Sequence, residues 1–220
     1  MNPPPDYRST WDALAETEES ALLHVAGYTD EQRIKEQTDI TLQLLRQTIG
    51  IRPTDTMLEI GCGVGRVGRQ LAPLVQRWIG CDVSANMLGH ARHRLAGLTN
   101  VELMHISGYD LGPVPDASVD AVYCPVVFMH LEEWDRYAYV REAHRILKPG
   151  GRFYCDNANL DSEEGWQVFL ASAAFPPDAR PRHLSRCSTV PEIRCFLERA
   201  GFRDVQTNTP GVWVIGWGVK

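Results

Sequence analysis

The fold is predicted most strongly by the residues Leu58-Glu59-Ile60-Gly61-Cys62-Gly63-Val64-Gly65-Arg66. An apolar run ends here, and three glycines at alternate positions lead into an amphipathic segment. Glycine suits a sharp turn between strand and helix, and it lets a ligand approach the main chain without meeting a Cβ atom. The free amides at the start of the next helix are donors for a carboxylate or phosphate. By itself the triplet predicts only a tight β-to-α turn, with or without a ligand.

An acidic residue further along the chain strengthens the case for a ligand. Asp82 ends the next strand-like run, 21 residues after Gly61. In a doubly wound sheet this position lies beside the glycine turn, where a carboxylate can accept hydrogen bonds from the ribose hydroxyls. The alternative role is an N-cap for the helix that follows Ser84. Together, the glycines and Asp82 predict an adenosine-containing ligand.

Short apolar runs alternate with amphipathic stretches from Thr56 onward, in the order of a parallel sheet covered by helices. We predict strands at 57–61, 77–82, 101–106, 119–124 and 151–156, and a hairpin at 204–209 and 212–219. Helices are expected at 10–25, 30–49, 65–74, 84–96, 132–147 and 189–200. Prolines at residues 3–5 predict a stiff extended arm. The fold class is therefore α/β: a doubly wound, mostly parallel seven-stranded sheet with helices on both faces and a C-terminal antiparallel β-hairpin.

Composition excludes several classes of protein. The 220 residues are 44% hydrophobic and 23% charged, which is ordinary for a chain that buries its own core. A net charge of −6 is unsuited to holding a phosphate backbone, so we expect no nucleic-acid partner. The first six residues do not resemble a secretory signal, and no apolar run is long enough to cross a membrane. Six cysteines without a CxxC pair predict reduced thiols and a cytoplasmic location.

The glycine spacing and the motifs after it resemble those of class I S-adenosylmethionine-dependent methyltransferases. A nicotinamide dinucleotide favours GxGxxG, whereas this chain has Glu-x-Gly-x-Gly-x-Gly. Residues 80–88 are similar to the family's second motif, 114–120 to the approach to its fourth strand, and 130–131 and 142–151 to the block that follows. The likeness runs from about residue 54 to residue 151, and more loosely to the C-terminus. It implies the same seven-stranded sheet and S-adenosylmethionine as cofactor.

The resemblance also implies roles for individual residues. Glu59 and Gly61 are expected at the methionine end of the cofactor, Asp82 at the ribose, and Met87 either at the adenine face or in the helix core. Many members place an aspartate after the third strand for the adenine amino group. This chain has no acid directly there, so Ser107, main-chain amides or Asp110 would take its place. The full set of expected cofactor contacts is Glu59, Gly61, Cys62, Gly63, Gly65, Asp82, Val83, Met87, Ser107, Gly108, Tyr109 and Cys124.

Methyl transfer depends on position more than on covalent chemistry, because the nucleophile must lie in line and about 3 Å from the methyl group. A base helps only where the acceptor atom is still protonated. His130, after the fourth strand, is the candidate base, and a structural role at a helix start is the alternative. Cys124 has no visible activating partner and is expected to pack. Residues 124–127 lack the Asn/Asp-Pro-Pro-Tyr/Phe pattern of enzymes that methylate amide or ring nitrogens, which favours an oxygen or small-amine acceptor.

Two flanking regions are expected to select the acceptor. Residues 1–50 predict a helical lid or cap on the core of residues 51–220, or a helix packed against the sheet edge. Residues 157–188 predict a long loop inserted after the fifth strand. We expect its aromatic side chains to wall the acceptor pocket, and its arginines to meet an anionic group or to be solvated. The expected substrate contacts are Tyr7, Trp11, Phe128, His130, Trp166 and Arg182.

Other functions fit parts of the sequence. A nicotinamide-dependent oxidoreductase is disfavoured by the glycine spacing, by residues 148–151 and by the closing hairpin. A non-catalytic subunit that binds S-adenosylmethionine stays open, whereas methylation of a macromolecule is disfavoured by the acidic charge. No pair of histidines or cysteines has metal-site spacing, so no metal is expected. The residues identify neither the small-molecule acceptor nor the oligomeric state, and a monomer and a homodimer both fit.

Overall fold

The computed structural model describes residues 6–220, so the arm predicted at residues 3–5 lies outside the described part. Within it, one seven-stranded sheet has the order β3-β2-β1-β4-β5-β7-β6. Neighbouring strands among β1 to β5 pair in parallel, and β7 is antiparallel to both β5 and β6, which confirms the predicted fold class. The strands are β1 Thr56–Ile60, β2 Arg77–Asp82, β3 Val101–His105, β4 Val119–Cys124, β5 Leu147–Ala158, β6 Arg203–Asn208 and β7 Trp213–Val219.

Helices cover both faces of the sheet. In the described residues they are α1 Tyr7–Leu14, α2 Glu18–Ala26, α3 Glu31–Thr48, α4 Arg66–Leu71, α5 Ala85–Arg94, α6 Glu133–Ile146, α7 Glu163–Ala173 and α8 Val190–Ala200. Alternate residues of β5 point to opposite faces: Phe153 packs in the cluster formed with α6 and α8, and Tyr154 in the cluster formed with α3, α4 and α5. No helix of residues 6–220 is long and apolar enough to cross a membrane.

Three predicted elements are corrected. The helix expected at 10–25 is two helices, because the chain breaks after α1 and Thr17 caps α2. The loop expected at 157–188 contains α7, which begins after the N-cap Ser162. Strand β5 starts at Leu147, directly after α6, four residues before the predicted start at residue 151. Other boundaries differ from the predicted ones by a few residues.

The strand order reverses between β1 and β4, because β1 to β3 extend one way across the sheet and β4 and β5 the other. Open α/β sheets bind ligands beyond the carboxyl ends of the strands at such a point. A small apolar cluster joins Leu22 and Ile34 of the N-terminal helices to Val64 of the glycine turn and Met87 of α5. These contacts hold the N-terminal helices at the edge of the sheet where a ligand is expected.

Candidate functional site

A cavity opens at the carboxyl ends of β1, β2 and β4. The empty space between its walls is about 810 Å³, part of it open to solvent. Its walls come from α1 and α2, from the glycine turn and adjoining strand ends, and from the loop after β4. The lining residues are Tyr7, Trp11, His24, Val25, Glu59, Ile60, Gly61, Cys62, Gly63, Arg66, Asp82, Val83, Met87, Ile106, Gly108, Pro125, Val126, Val127, His130, Leu131 and Tyr139.

The glycine turn forms one wall of this cavity. Gly61 has a φ of +68° and Gly63 a φ of +53°, in the left-handed region that residues with a side chain rarely adopt. A Cβ atom at Gly61 would also clash with Cγ2 of Val127 in the loop after β4. Glycine is therefore required at position 61 for both conformation and packing, and the main chain of the turn is left accessible from the cavity.

Asp82 lies beside that turn at the end of β2. Its Oδ2 accepts a hydrogen bond from the N–H of Gly63 at 2.7 Å, and its Oδ1 accepts from the N–H of Ser84 at 2.9 Å. Burial raises the pKa of Asp82 to about 6, although these bonds act in the opposite direction. The N-cap of α5 is Ser84, whose hydroxyl accepts from the N–H of Met87. Asp82 therefore lines the cavity with its orientation fixed and with lone pairs to spare.

Glu59 is the second buried carboxyl group that lines the cavity. Its Oε2 accepts from the hydroxyl of Tyr123 at 2.7 Å, and that hydroxyl accepts in turn from the indole N–H of Trp78 at 2.7 Å. Burial raises the pKa of Glu59 to about 8, and the hydrogen bond from Tyr123 opposes this shift. A cation bound nearby would favour the ionised form of this carboxyl group, so the site is suited to an ammonium group.

His130 reaches the cavity from the loop after β4. Its Nδ1 lies 2.8 Å from the carbonyl oxygen of His183, so Nδ1 is the donor and Nε2 is left as an acceptor. Burial lowers the pKa of His130 to about 4, which keeps the ring neutral at physiological pH. The indole of Trp11 packs edge-on against it, with ring centroids 4.9 Å apart. A neutral ring held in this way is well suited to accept a hydrogen bond and is only a weak base.

Most of the expected cofactor contacts line the cavity, and four do not. Gly65 is the N-cap of α4. The hydroxyl of Ser107 accepts from the N–H groups of Tyr109 and Asp110 and so closes a local turn. Cys124 is fully buried in the core, where burial raises the pKa of its thiol, so it packs and does not line the cavity. The ring of Tyr109 is half-exposed and lies beside that of Tyr7, with centroids 5.4 Å apart. The contacts that line the cavity are Glu59, Gly61, Cys62, Gly63, Asp82, Val83, Met87 and Gly108.

The expected substrate contacts divide evenly. Tyr7, Trp11 and His130 line the cavity, whereas Phe128, Trp166 and Arg182 do not. Phe128 is fully buried in the core. Trp166 is 42% exposed on α7 and stacks on Phe169 with ring centroids 5.0 Å apart. The aromatic residues of the insertion, which were expected to wall the acceptor pocket, therefore do not line this cavity.

Contacts at the start of α6 hold α1 and the insertion together. The hydroxyl of Tyr7 donates to Oδ2 of Asp135 at 2.7 Å and accepts from the N–H of Glu132 at 3.0 Å. The guanidinium group of Arg182 lies 4.5 Å from the centroid of the Tyr7 ring. Arg186 pairs with Glu132 at 2.8 Å. Two of the three arginines of the insertion, Arg182 and Arg186, thus contact protein groups around the cavity, where the sequence suggested an anionic ligand or solvent.

Several residues that line the cavity were given no role by the sequence. His24 and Val25 come from α2, whose apolar pattern predicts only a core-facing helix. Arg66 was part of the glycine stretch without an assigned role, and Val126 has a φ of +59° that no local sequence signal predicts. Within residues 6–220, no three histidine, cysteine, aspartate or glutamate side chains are grouped as metal ligands.

Comparison with known proteins identifies relatives of the central part of the chain. Residues 58–155 match a family model described as a methyltransferase domain. A probable S-adenosylmethionine-dependent methyltransferase of Mycolicibacterium smegmatis is 38% identical over 146 residues, which is 66% of this chain and 51% of that protein. A demethylmenaquinone methyltransferase of Listeria welshimeri is 33% identical over 60% of this chain and 55% of its own length. The chain thus spans about half the length of these curated relatives.

Solved structures share the fold over more of the chain. The YcgJ protein of Bacillus subtilis is 26% identical with a TM-score of 0.64, over 78% of this chain and 71% of that one. The magnesium protoporphyrin IX methyltransferase of Synechocystis, solved with bound SAH, is 18% identical with a TM-score of 0.72 over 97% of both chains. The DhpI–SAH complex is 21% identical with a TM-score of 0.68 over 95% of this chain and 92% of that one. At their identities the last two show the likeness of fold alone.

Proposed function

We propose that this chain, which carries a methyltransferase domain at residues 58–155, is a class I S-adenosylmethionine-dependent methyltransferase acting on a small molecule. The observation that carries the proposal is the arrangement of Asp82. Its buried carboxylate faces the cavity beside the glycine turn, with each oxygen held by a main-chain N–H group. A carboxylate at this point of a doubly wound sheet is suited to accept hydrogen bonds from the ribose hydroxyls of an adenosine ligand.

The residues present fit both ends of S-adenosylmethionine, the methionine part and the adenine. Glu59, a carboxyl group that a nearby cation would ionise, suits the ammonium group of the methionine part. Val83 and Met87 offer apolar surface on the side of Asp82, suited to the adenine. When bound, the cofactor supplies a methyl group activated on a sulfonium. The chain itself has to bind the cofactor, orient the acceptor and exclude water.

The nature of the lining supports an uncharged acceptor. Its carboxyl and guanidinium groups, Glu59, Asp82 and Arg66, lie on or beside the glycine turn, and apart from His24 the other side chains that line the cavity with His130 are aromatic, aliphatic or Cys62. Nε2 of His130 is free to accept a hydrogen bond. We therefore assign the acceptor as a small molecule with an O–H or neutral N–H group. His130 accepts a hydrogen bond from that group and is the candidate to receive its proton.

The names of two relatives support a small-molecule acceptor. A demethylmenaquinone methyltransferase and a magnesium protoporphyrin IX methyltransferase are, by those names, enzymes that act on small molecules. The net charge of −6 supports the same class over a nucleic acid. Six unpaired cysteines support a cytoplasmic location.

The N-terminal helices are proposed as a lid. Tyr7 and Trp11 of α1 and His24 and Val25 of α2 line the cavity, with Val25 next to Gly63 of the glycine turn and Trp11 against His130. A ligand of the size of S-adenosylmethionine would lie beneath them, so their movement would control its entry. Residues 181–188 would hold this lid through the contacts of Arg182 and Arg186 around the start of α6.

Binding and transfer are tested in sequence. Isothermal titration of the purified chain with S-adenosylmethionine, SAH and NAD should show binding of the first two alone. A mass-shift assay over a panel of hydroxylated and amine metabolites should then identify an acceptor that gains one methyl group. Binding of NAD without binding of S-adenosylmethionine would overturn the proposal. Binding without transfer to any acceptor would favour a non-catalytic subunit.

A further inference from the structure

Val126 lines the cavity in a backbone conformation that valine rarely adopts. Its φ is +59°, in the left-handed region, where a β-branched side chain crowds the neighbouring main chain. Strained residues of this kind persist only where surrounding contacts hold them, and they cluster at functional sites. The contact that holds Val126 is therefore of interest for the function of the cavity.

Asp156 provides that contact. Its Oδ1 accepts a hydrogen bond from the N–H of Val126 at 2.6 Å, and its Oδ2 accepts from the hydroxyl of Tyr154 at 3.0 Å. The Asp156 side chain lies near the end of β5, is buried, and does not line the cavity. Burial raises the pKa of Asp156 to about 6, so the group is ionised at neutral pH and its bond to Val126 is charge-assisted.

The residue after Val126 connects two parts of the cavity wall. The side chain of Val127 packs against Gly61 of the glycine turn. The carbonyl oxygen of Val127 accepts a hydrogen bond from the N–H of His130 at 2.9 Å. A change in the backbone of Val126 would therefore move the support of the glycine turn and the position of His130 together.

We propose that Asp156 is a positioning residue of the proposed methyl transfer. By holding Val126 in the left-handed conformation, it keeps Val127 against Gly61 and His130 at the acceptor end of the cavity. The proposal rests on the proposed function, in which Gly61 and His130 belong to the cofactor and acceptor ends. A purely structural role for Asp156 would stabilise the core without this dependence on the conformation of Val126.

Hydrogen exchange of the ligand-free protein tests the proposal without any assay of activity. Asp156→Ala should speed amide exchange in residues 127–130 at least tenfold and leave the exchange of β1 and β2 within threefold of the wild type. The Val126 amide is left out of the comparison, because it loses its own acceptor in this variant. Tyr154→Phe is the matched control, because it removes the other hydrogen bond of Asp156 and keeps the one to Val126. It should leave exchange in residues 127–130 within threefold of the wild type. Equal acceleration by both variants, or none by Asp156→Ala, would overturn the proposal.

A double-mutant cycle then separates positioning from stability. Glycine adopts a positive φ without strain, so in Val126→Gly the backbone no longer needs Asp156 to hold this conformation. The acceleration caused by Asp156→Ala should fall below threefold when it is measured against Val126→Gly as the parent. An acceleration that is the same in both backgrounds would contradict the proposal.

Asp156→Asn replaces Asp156→Ala if the latter does not fold. This variant keeps an oxygen acceptor but no charge, so it should accelerate exchange of the same amides by about threefold. An unchanged exchange rate would overturn the proposal.

Transfer kinetics give the last comparison once an acceptor is known. Asp156→Ala should lower kcat at least tenfold and should raise the Kd for SAH by a smaller factor, because Val127 supports Gly61 whereas Asp82 is held by its own main-chain hydrogen bonds. If the wild type fails to bind SAH, the proposed function fails while the exchange result still stands. If the wild type transfers methyl groups and Asp156→Ala does so at an equal rate, the positioning role alone fails.

Discussion

Gly63 and Asp82 are joined by a 2.7 Å hydrogen bond from the main-chain N–H of the glycine to Oδ2 of the carboxylate. The bond links the turn after β1 to the end of β2. It therefore fixes the distance between the glycines and the carboxylate while it restrains the turn itself. An adenosine ligand that uses both features meets them in a preset arrangement, so little ordering of the protein is needed on binding.

Asp82→Asn is expected to weaken the binding of S-adenosylmethionine by roughly 10- to 100-fold, since a hydrogen bond to a charged group contributes about 1.5–3 kcal/mol. Titration calorimetry at pH 7.5 measures the change. Asp39→Asn is the matched control, because that carboxylate is exposed on α3 and pairs with Lys35 away from the cavity. An affinity of Asp82→Asn within twofold of the wild type would show that the carboxylate does not contact the ligand.

Cofactor binding is expected to release protons at pH 7. Burial raises the pKa of Glu59 to about 8, so the ligand-free carboxyl group is mostly protonated at that pH. A bound ammonium group favours the ionised form and lowers this pKa, so the proton leaves. Affinity should accordingly fall as the pH decreases from 7 towards 6, because removal of the proton becomes costlier. Calorimetric titrations with the cofactor in two buffers of different ionisation enthalpy measure the number of protons released on binding. Binding of the cofactor to Glu59→Gln should release none.

Gly61→Ala is expected to abolish cofactor binding and to lower Tm. The left-handed φ of +68° costs a residue with a side chain about 1–2 kcal/mol, and the added Cβ also clashes with Val127. Gly89→Ala is the control, because Gly89 lies inside α5 with open space around the added Cβ. That change should raise the free energy of unfolding by up to about 1 kcal/mol and leave binding unchanged. Similar Tm values for both variants would contradict the steric argument.

Tyr7→Phe is expected to loosen the N-terminal helices. The change leaves the carboxylate of Asp135 and the N–H of Glu132 without their shared partner, at a cost of about 1–3 kcal/mol. Limited proteolysis should cut the first thirty residues faster than in the wild type. Tyr28→Phe is the control, because the hydroxyl that it removes belongs to a ring that stacks under Arg33. This variant should be cleaved at the wild-type rate. Equal cleavage rates of Tyr7→Phe and Tyr28→Phe would show that Tyr7 does not anchor the proposed lid.

The sheet was predictable because its signals are local. Each buried strand is a short apolar run, as in the residues around Ile79 and Val122, and the connections after β1, β2, β4 and β5 each carry a helical pattern. The glycine turn and Asp82 were predictable for the same reason, since each stands at a strand end that its own segment defines. The helix α7 was missed because Trp166 and Phe169 lie on an exposed surface, so its apolar residues do not follow a core-facing pattern.

The amino-acid sequence was sufficient for the α/β class, the mostly parallel sheet and the glycine turn with Asp82 at one wall of the cavity, because these depend on residues close together in the chain. The other half required the folded chain. His130 faces the carbonyl of His183, and Asp156 holds Val126 across 30 residues of sequence. Such contacts form only when β4, β5 and the insertion are packed together. Which acidic residue is buried, and which histidine stays neutral, follows from that packing and the desolvation it imposes.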